Sequence, residues 1–251
     1  MPTVDVRYEG DLAYVTIDRP EQSNALDSAT ARALVDSIEG LAGRARVAIL
    51  TGRGDDFCTG GDLRELERWS DLTEQEIGSM LYAGYQGLVR ALRASPAVMI
   101  AAVNGAAIGA GMDLALACDI RIAGESARFG QVWVRLGIVP GTGGAYLAQA
   151  LAGPGKAAEL LLTGDVISAH DALGAGLVNR VVSDHGLLVE ARAFADRILR
   201  HPPDGVVANK RAYISVTNAA VEAALAHAAE VQPGRFTSEE FRNAVRAALS
   251  R

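Results

Sequence analysis

The run Ala97-Val98-Met99-Ile100-Ala101-Ala102-Val103, then Asn104-Gly105-Ala106-Ala107-Ile108-Gly109-Ala110-Gly111, then Met112-Asp113-Leu114-Ala115-Leu116-Ala117, decides the fold class. A short apolar run bounded by turn signals reads as a strand buried on both faces. The small residues after it make a loop, and the segment that follows is helical. The same order occurs upstream. Val47-Ala48-Ile49-Leu50-Thr51 is a buried strand, Gly52-Arg53-Gly54-Asp55-Asp56 stops it, and Phe57 to Gly61 is a Gly-rich loop. Asp62 then opens a helix over Leu63–Trp69. Strands that alternate with helices predict an α/β arrangement with crossover connections.

Outward from these two units the pattern continues. Val4–Glu9 and Leu12–Asp18 read as a hairpin around Gly10-Asp11. Asp27 or Ser28 caps a helix running to about Leu41, with Leu34, Ile38 and Leu41 on one face. A longer helix is predicted from Thr73 to Arg93, ended by Ser95-Pro96. Ile120–Ala123 is a further strand, and Val178–Val182 a short one. From Gly143 onward the segments are mostly helical, among them Val206–Tyr213, Ala219–Glu230 and Glu239–Leu249. The expected division is an α/β core over 1–195 and a helical C-terminal region over 196–251.

Composition bounds the function. The 251 residues are 49% hydrophobic and 22% charged, which suits a globular chain with a sizeable core and excludes disorder. A net charge of -6 without a basic run argues against a nucleic-acid partner. Ala97–Val103 is far short of the roughly 20 apolar residues a membrane span needs. Met1-Pro2-Thr3-Val4-Asp5 has neither basic nor apolar leader character, so a cytoplasmic location is expected. Cys58 and Cys118 show no metal-ligand or disulfide spacing and read as small buried hydrophobes.

The two small-residue loops are the places for chemistry. Glycine lets backbone approach a ligand closely, and free N–H groups at a helix start favour negative charge. One such N–H from each loop would make an oxyanion hole. Tight turns without a ligand are the plainer alternative. A dinucleotide site fits poorly. Gly105 to Gly111 has the spacing GxxxGxG, but the loop lies in mid-chain, with no acidic residue about 20 positions on for a ribose.

With these loops in place, the chain resembles the enoyl-CoA hydratase/isomerase family, the crotonase superfamily, along nearly its whole length. The resemblance rests on Asp18-Arg19-Pro20 with Asn24-Ala25-Leu26, and on the first loop through Leu63. It continues over Ala102 to Ala123, Ala127-Arg128-Phe129-Gly130, Leu136 to Gly144, and Ala172 to Asn179. It implies a crotonase-like spiral of ββα units with a C-terminal helical trimerisation region. It implies an acyl-CoA thioester as substrate, with coenzyme A bound only as part of that substrate, no other cofactor and no metal. The unit would be a homotrimer or homohexamer. The oxyanion-hole N–H groups carry over onto Gly61 and Ala110. Ala25, Cys58, Gly60, Asp62, Leu63, Gly109, Trp133, Pro140 and Gly141 carry over as substrate-binding positions.

The acid/base positions depart from the family pattern. Hydratases of the family use two glutamates. Asp113 stands at the first, a carboxylate shorter by one C–C bond, about 1.5 Å. A misplacement of that size can cost about 100-fold. Trp133 stands at the second, and an indole has no acid/base capacity near neutral pH. A third position, an aspartate in some members, is Gly141 here. Asp113 is therefore the one acid/base candidate, or else a carboxylate answering a helix dipole. Trp133 is core filler or a wall of the acyl pocket. Tyr82 and Tyr85 belong to the helix that lines that pocket in relatives. The expected function is an enoyl-CoA hydratase-like enzyme stabilising a thioester enolate, on a bulky or unusual acyl group. The alternatives are a catalytically impaired acyl-CoA-binding protein, or a decarboxylase, hydrolase or isomerase of the same fold.

Overall fold

The computed structural model describes residues 3–250, so the Met1-Pro2 part of the leader reading lies outside the described residues. Strands β1 (Val4–Glu9) and β2 (Leu12–Ile17) form an antiparallel hairpin. Parallel strands then add on: β3 (Val47–Gly52), β4 (Val98–Val103), β6 (Ile120–Gly124) and β9 (Arg180–Val182). The order β1-β2-β3-β4-β6-β9 makes a six-stranded sheet.

The continuous apolar runs of β3 and β4 follow from burial on both faces. Successive side chains point to opposite faces of a strand. Val47, Ile49, Val98, Ile100 and Ala102 pack with Leu187, Ala191 and Ala195 of α8 (Leu187–Leu199). Ala48, Leu50, Met99, Ala101 and Val103 enter the main core instead. There they meet Leu34 and Ile38 of α1 (Ser28–Glu39) and Leu88 and Leu92 of α4 (Gly87–Ala94). Asp27 caps α1 through a 2.7 Å bond from the Thr30 N–H.

The sequence placed Asn104–Gly111 entirely in a loop. Ala106–Ile108 is in fact a strand, β5, of a second sheet with β7 (Arg128–Gly130) and β8 (Val166–Ser168). Strands of three residues have too little alternation to show in a sequence. The helix expected over Thr73–Arg93 is α3 (Glu74–Met80), a π-helical turn at Leu81–Gln86, and α4. That wider turn leaves Tyr82 exposed and buries Tyr85 and Gln86. The helix α2 (Leu63–Trp69) is as expected.

In the C-terminal half, α6 (Gly144–Thr163) breaks at Gly153, where φ is 78°. After α7 (Ala169–Gly174), α9 (Pro203–Phe236) is one continuous helix of 34 residues where two were expected. It is followed by α10 (Glu239–Leu249). Val221, Leu225, Phe236, Phe241 and Val245 join the same core as the inner face of the sheet. The expected boundary at 195/196 falls inside α8. Among the described residues, no helix is long and apolar enough to cross a membrane.

Candidate active site

The two small-residue loops lie against each other. The Cys58 N–H donates to the Ala106 carbonyl at 2.8 Å, and the Ile108 N–H to the Cys58 carbonyl at 3.0 Å. Leu26 joins them: its N–H donates to Gly60 O at 2.7 Å, and Asp62 N–H donates to Leu26 O at 2.8 Å. Only glycine fits at 111, because a Cβ there would stand 1.9 Å from the Cys58 carbonyl oxygen. The site of a Cβ on Gly60 is 3.4 Å from the Ala110 nitrogen, so the two turns are in contact.

Ala110 begins α5 (Ala110–Ala117), and a first-turn N–H has no partner within its helix. Among the described residues, neither the Gly61 nor the Ala110 N–H donates a hydrogen bond to a protein acceptor. Each of the two stitched loops thus carries one unspent backbone donor.

Arg19 braces the first loop. Its guanidinium holds Asp62 at 3.0 Å and Asp27 at 3.1 Å, and donates to the Ala25 carbonyl. The other Asp62 oxygen caps α2, accepting from the Arg64 N–H at 3.0 Å. Asn24 adds a side-chain bond to the Asp56 carbonyl at 2.6 Å. Ala25 is buried beneath this clamp, and Leu63 is half-buried on the first turn of α2. Cys58 is the small buried residue that the sequence suggested. Its side chain is wholly enclosed, its thiol is pushed up to about 12 by burial, and its backbone joins the two loops. Cys118 is likewise buried and unpaired.

Beside Gly61 lies a small cavity of about 10 Å³, close to the room one water needs. Its walls include Trp69, Tyr85, Trp133 and Phe236, with Gly141, Thr142 and Gln232 on the polar side. Trp69 meets Phe236 edge to face at 5.2 Å and Tyr85 at 5.7 Å. The Tyr85 hydroxyl is spent on the Leu26 carbonyl at 2.7 Å. Trp133 lines this cavity, its ring 3.8 Å from the site of a Cβ on Gly109. Pro140 is half-buried on the loop leading into Gly141.

Asp113 stands behind this wall. It is fully buried and does not itself line the cavity. Thr142 Oγ1 donates to its Oδ2 at 2.5 Å, and Gln131 Nε2 to its Oδ1 at 2.6 Å. The Trp133 indole N–H in turn donates to Gln131 Oε1 at 2.9 Å. Burial pushes the Asp113 carboxyl up to about 6, against the downward pull of Thr142, Gln131 and the Gly144 N–H. The carboxylate is thus one residue removed from the cavity, bonded to Thr142, which lines it. Sequence reasoning gave no role to Gln131, Thr142 or Gln232. His170, His185, His201 and His227 are all exposed.

Comparison with known proteins identifies the family and the fold. The family model described as enoyl-CoA hydratase/isomerase matches residues 7–249. The short-chain-enoyl-CoA hydratase of Clostridium acetobutylicum is 36% identical over 97% of this chain and 93% of its own length. The crotonyl-CoA hydratase of Syntrophomonas wolfei is 41% identical over 76% and 73%. A crystal structure of an enoyl-CoA hydratase/isomerase from Mycobacterium paratuberculosis superposes with a TM-score of 0.92 at 32% identity, covering 98% of this chain and 99% of that one.

Proposed function

The chain belongs to the enoyl-CoA hydratase/isomerase family, and from that premise we propose that it adds water to a short 2-enoyl-CoA. The observation that carries this reading is the pair of unspent N–H groups, Gly61 and Ala110, on two loops bonded to each other. Attack of water at C3 of the conjugated thioester puts negative charge on the thioester oxygen. Preorganised donors stabilise that charge, at roughly 3–4 kcal/mol for each donor lost in comparable sites.

Asp113 is the proton acceptor of this reading. As water bonds to C3, its proton passes to Thr142 Oγ1 while the Thr142 proton passes to Asp113. The same path returns a proton to C2, so water is added without net loss or gain of charge. A carboxyl held near pH 6 is poised for both directions at neutral pH. Trp133 supplies no proton. It closes the pocket and orients Gln131 on Asp113. The short-chain-enoyl-CoA and crotonyl-CoA hydratases among the relatives support a short acyl chain. The proposed unit is a trimer or hexamer in the cytoplasm, needing no cofactor beyond the coenzyme A of its substrate.

The test is incubation with a panel of enoyl-, saturated and carboxylated acyl-CoAs in heavy water, read by mass spectrometry. Gain of one water on an enoyl-CoA is expected. Binding of CoA esters with every mass unchanged would replace this reading with that of an acyl-CoA-binding protein. The enclosure of Asp113 and the indole at position 133 favour that second reading.

A further inference from the structure

Gln232, near the end of α9, is 1% exposed. Neither its Nε2 nor its Oε1 has a hydrogen-bond partner. The side chain lines the small cavity opposite Trp133. A Cβ on Gly141 would stand 2.7 Å from Nε2 and 2.8 Å from Oε1, so the amide lies directly on the bare backbone of that residue. Any side chain at 141 would evict it. The loop that carries Gly141 is fixed in turn, because Gln86 Nε2 donates to the Gly141 carbonyl at 3.2 Å and to the Leu225 carbonyl of α9 at 2.8 Å. Two buried polar atoms of one amide, unmatched by protein on a residue that lines the cavity, point to a group that both donates and accepts.

We propose that the Gln232 amide is the polar recognition element of the acyl pocket, and that it holds a hydroxylic oxygen. The inference rests on the acyl-CoA reading given above. A hydroxyl or a water satisfies both amide atoms at once. A carboxylate satisfies only the donor, and no cationic side chain lines the cavity to balance its charge. The hydroxylic oxygen has two sources: the water that adds to the acyl chain, or a hydroxyl the chain already bears. An amide does not exchange protons near neutral pH, so Gln232 binds and orients the oxygen while Thr142, on the same wall, faces the proton path.

The experiment compares the unaltered protein with Gln232→Leu and Gly141→Ala, the second of which displaces the amide without deleting it. Circular dichroism establishes that each variant is folded. Calorimetric titration with 3-hydroxybutyryl-CoA and with butyryl-CoA reads recognition of a borne hydroxyl. The unaltered protein is expected to prefer the hydroxylated ester by about tenfold, and both variants to lose that preference. Initial-rate kinetics with crotonyl-CoA reads the water. Gln232→Leu is expected to lower kcat at least tenfold with KM within about twofold. Loss of preference with kcat intact assigns the role to the borne hydroxyl, and loss of both assigns it to the added water as well. Unchanged preference together with unchanged kcat in Gln232→Leu overturns the inference. If the unaltered protein binds these esters but hydrates none, the hydratase reading fails, and the titration still decides the role of Gln232. If it binds neither ester, the acyl-CoA reading falls and this inference with it.

Discussion

Replacing Asp113 by Asn separates the chemistry of this residue from its cost to the fold. The folded chain holds the Asp113 proton up to about pH 6, against an ordinary carboxyl value of 3.8. The folded state therefore binds more protons than the unfolded chain between those values, and stability falls as pH rises through that window. Below about pH 4 both states are protonated and the cost is absent. Above about pH 6 it is complete, and a shift of that size corresponds to about 3 kcal/mol. An asparagine has no charge to bury. Its Oδ1 can accept from Gln131, and its Nδ2 can donate to Thr142 Oγ1, so the network closes again. Asp113→Asn is thus expected to match the unaltered protein near pH 4 and to exceed it by up to about 3 kcal/mol near pH 7.5. Urea unfolding at the two pH values, at one protein concentration and with matched slopes, measures the difference. The same variant is expected to lose at least about 100-fold in hydration rate, the usual contribution of a positioned acid/base group. Equal destabilisation at both pH values would refute the assignment of a raised carboxyl. Full turnover in the variant would remove Asp113 from the mechanism.

Three further outcomes follow from the same geometry. Thr142→Val removes the hydroxyl that links Asp113 to the cavity and one bond that lowers the Asp113 value. It should reduce kcat to a similar degree as Asp113→Asn, and any residual rate should fall off at a higher pH on its acid limb. Trp133→Ala removes the wall over Gly109. Steady-state kinetics should then show the preference moving toward longer acyl chains, while the loss of the bond to Gln131 lowers the rate on short ones. Gly111→Ala forces a Cβ to 1.9 Å from the Cys58 carbonyl, and backbone cannot yield as a flexible side chain can. A loss of several kcal/mol in stability, or failure to recover folded protein, is expected.

Local sequence carried much of the fold. Val47–Thr51 and Ala97–Val103 read as doubly buried strands, and α8 and the inner helices do cover both faces. Asp62 read as a helix opener and is the cap of α2. What failed was the short or the interrupted. β5, with three residues, vanished into a loop, and the π-helical turn at Leu81–Gln86 was hidden inside a long helical pattern. The first lacks enough alternation to register. The second is an extra residue in a turn, and its effect is visible only in which side chains end up buried.

The sequence by itself determined the strands of the six-stranded sheet, the two glycine loops and the family, and it singled out Asp113 as an acid/base candidate. These are readable because spacing and residue type act within a few positions along the chain. Tertiary structure decided what Asp113 can do. Its partners Gln131 and Thr142 stand 18 and 29 positions away, on segments that sequence periodicity leaves unconnected. Burial among them raises its carboxyl and withdraws it behind Thr142, because desolvation depends on every element packed around a group. The same holds for Gln232. In the sequence it is one polar residue of a long helix, and only the packing of α9 against Gly141 brings its amide beside the cavity.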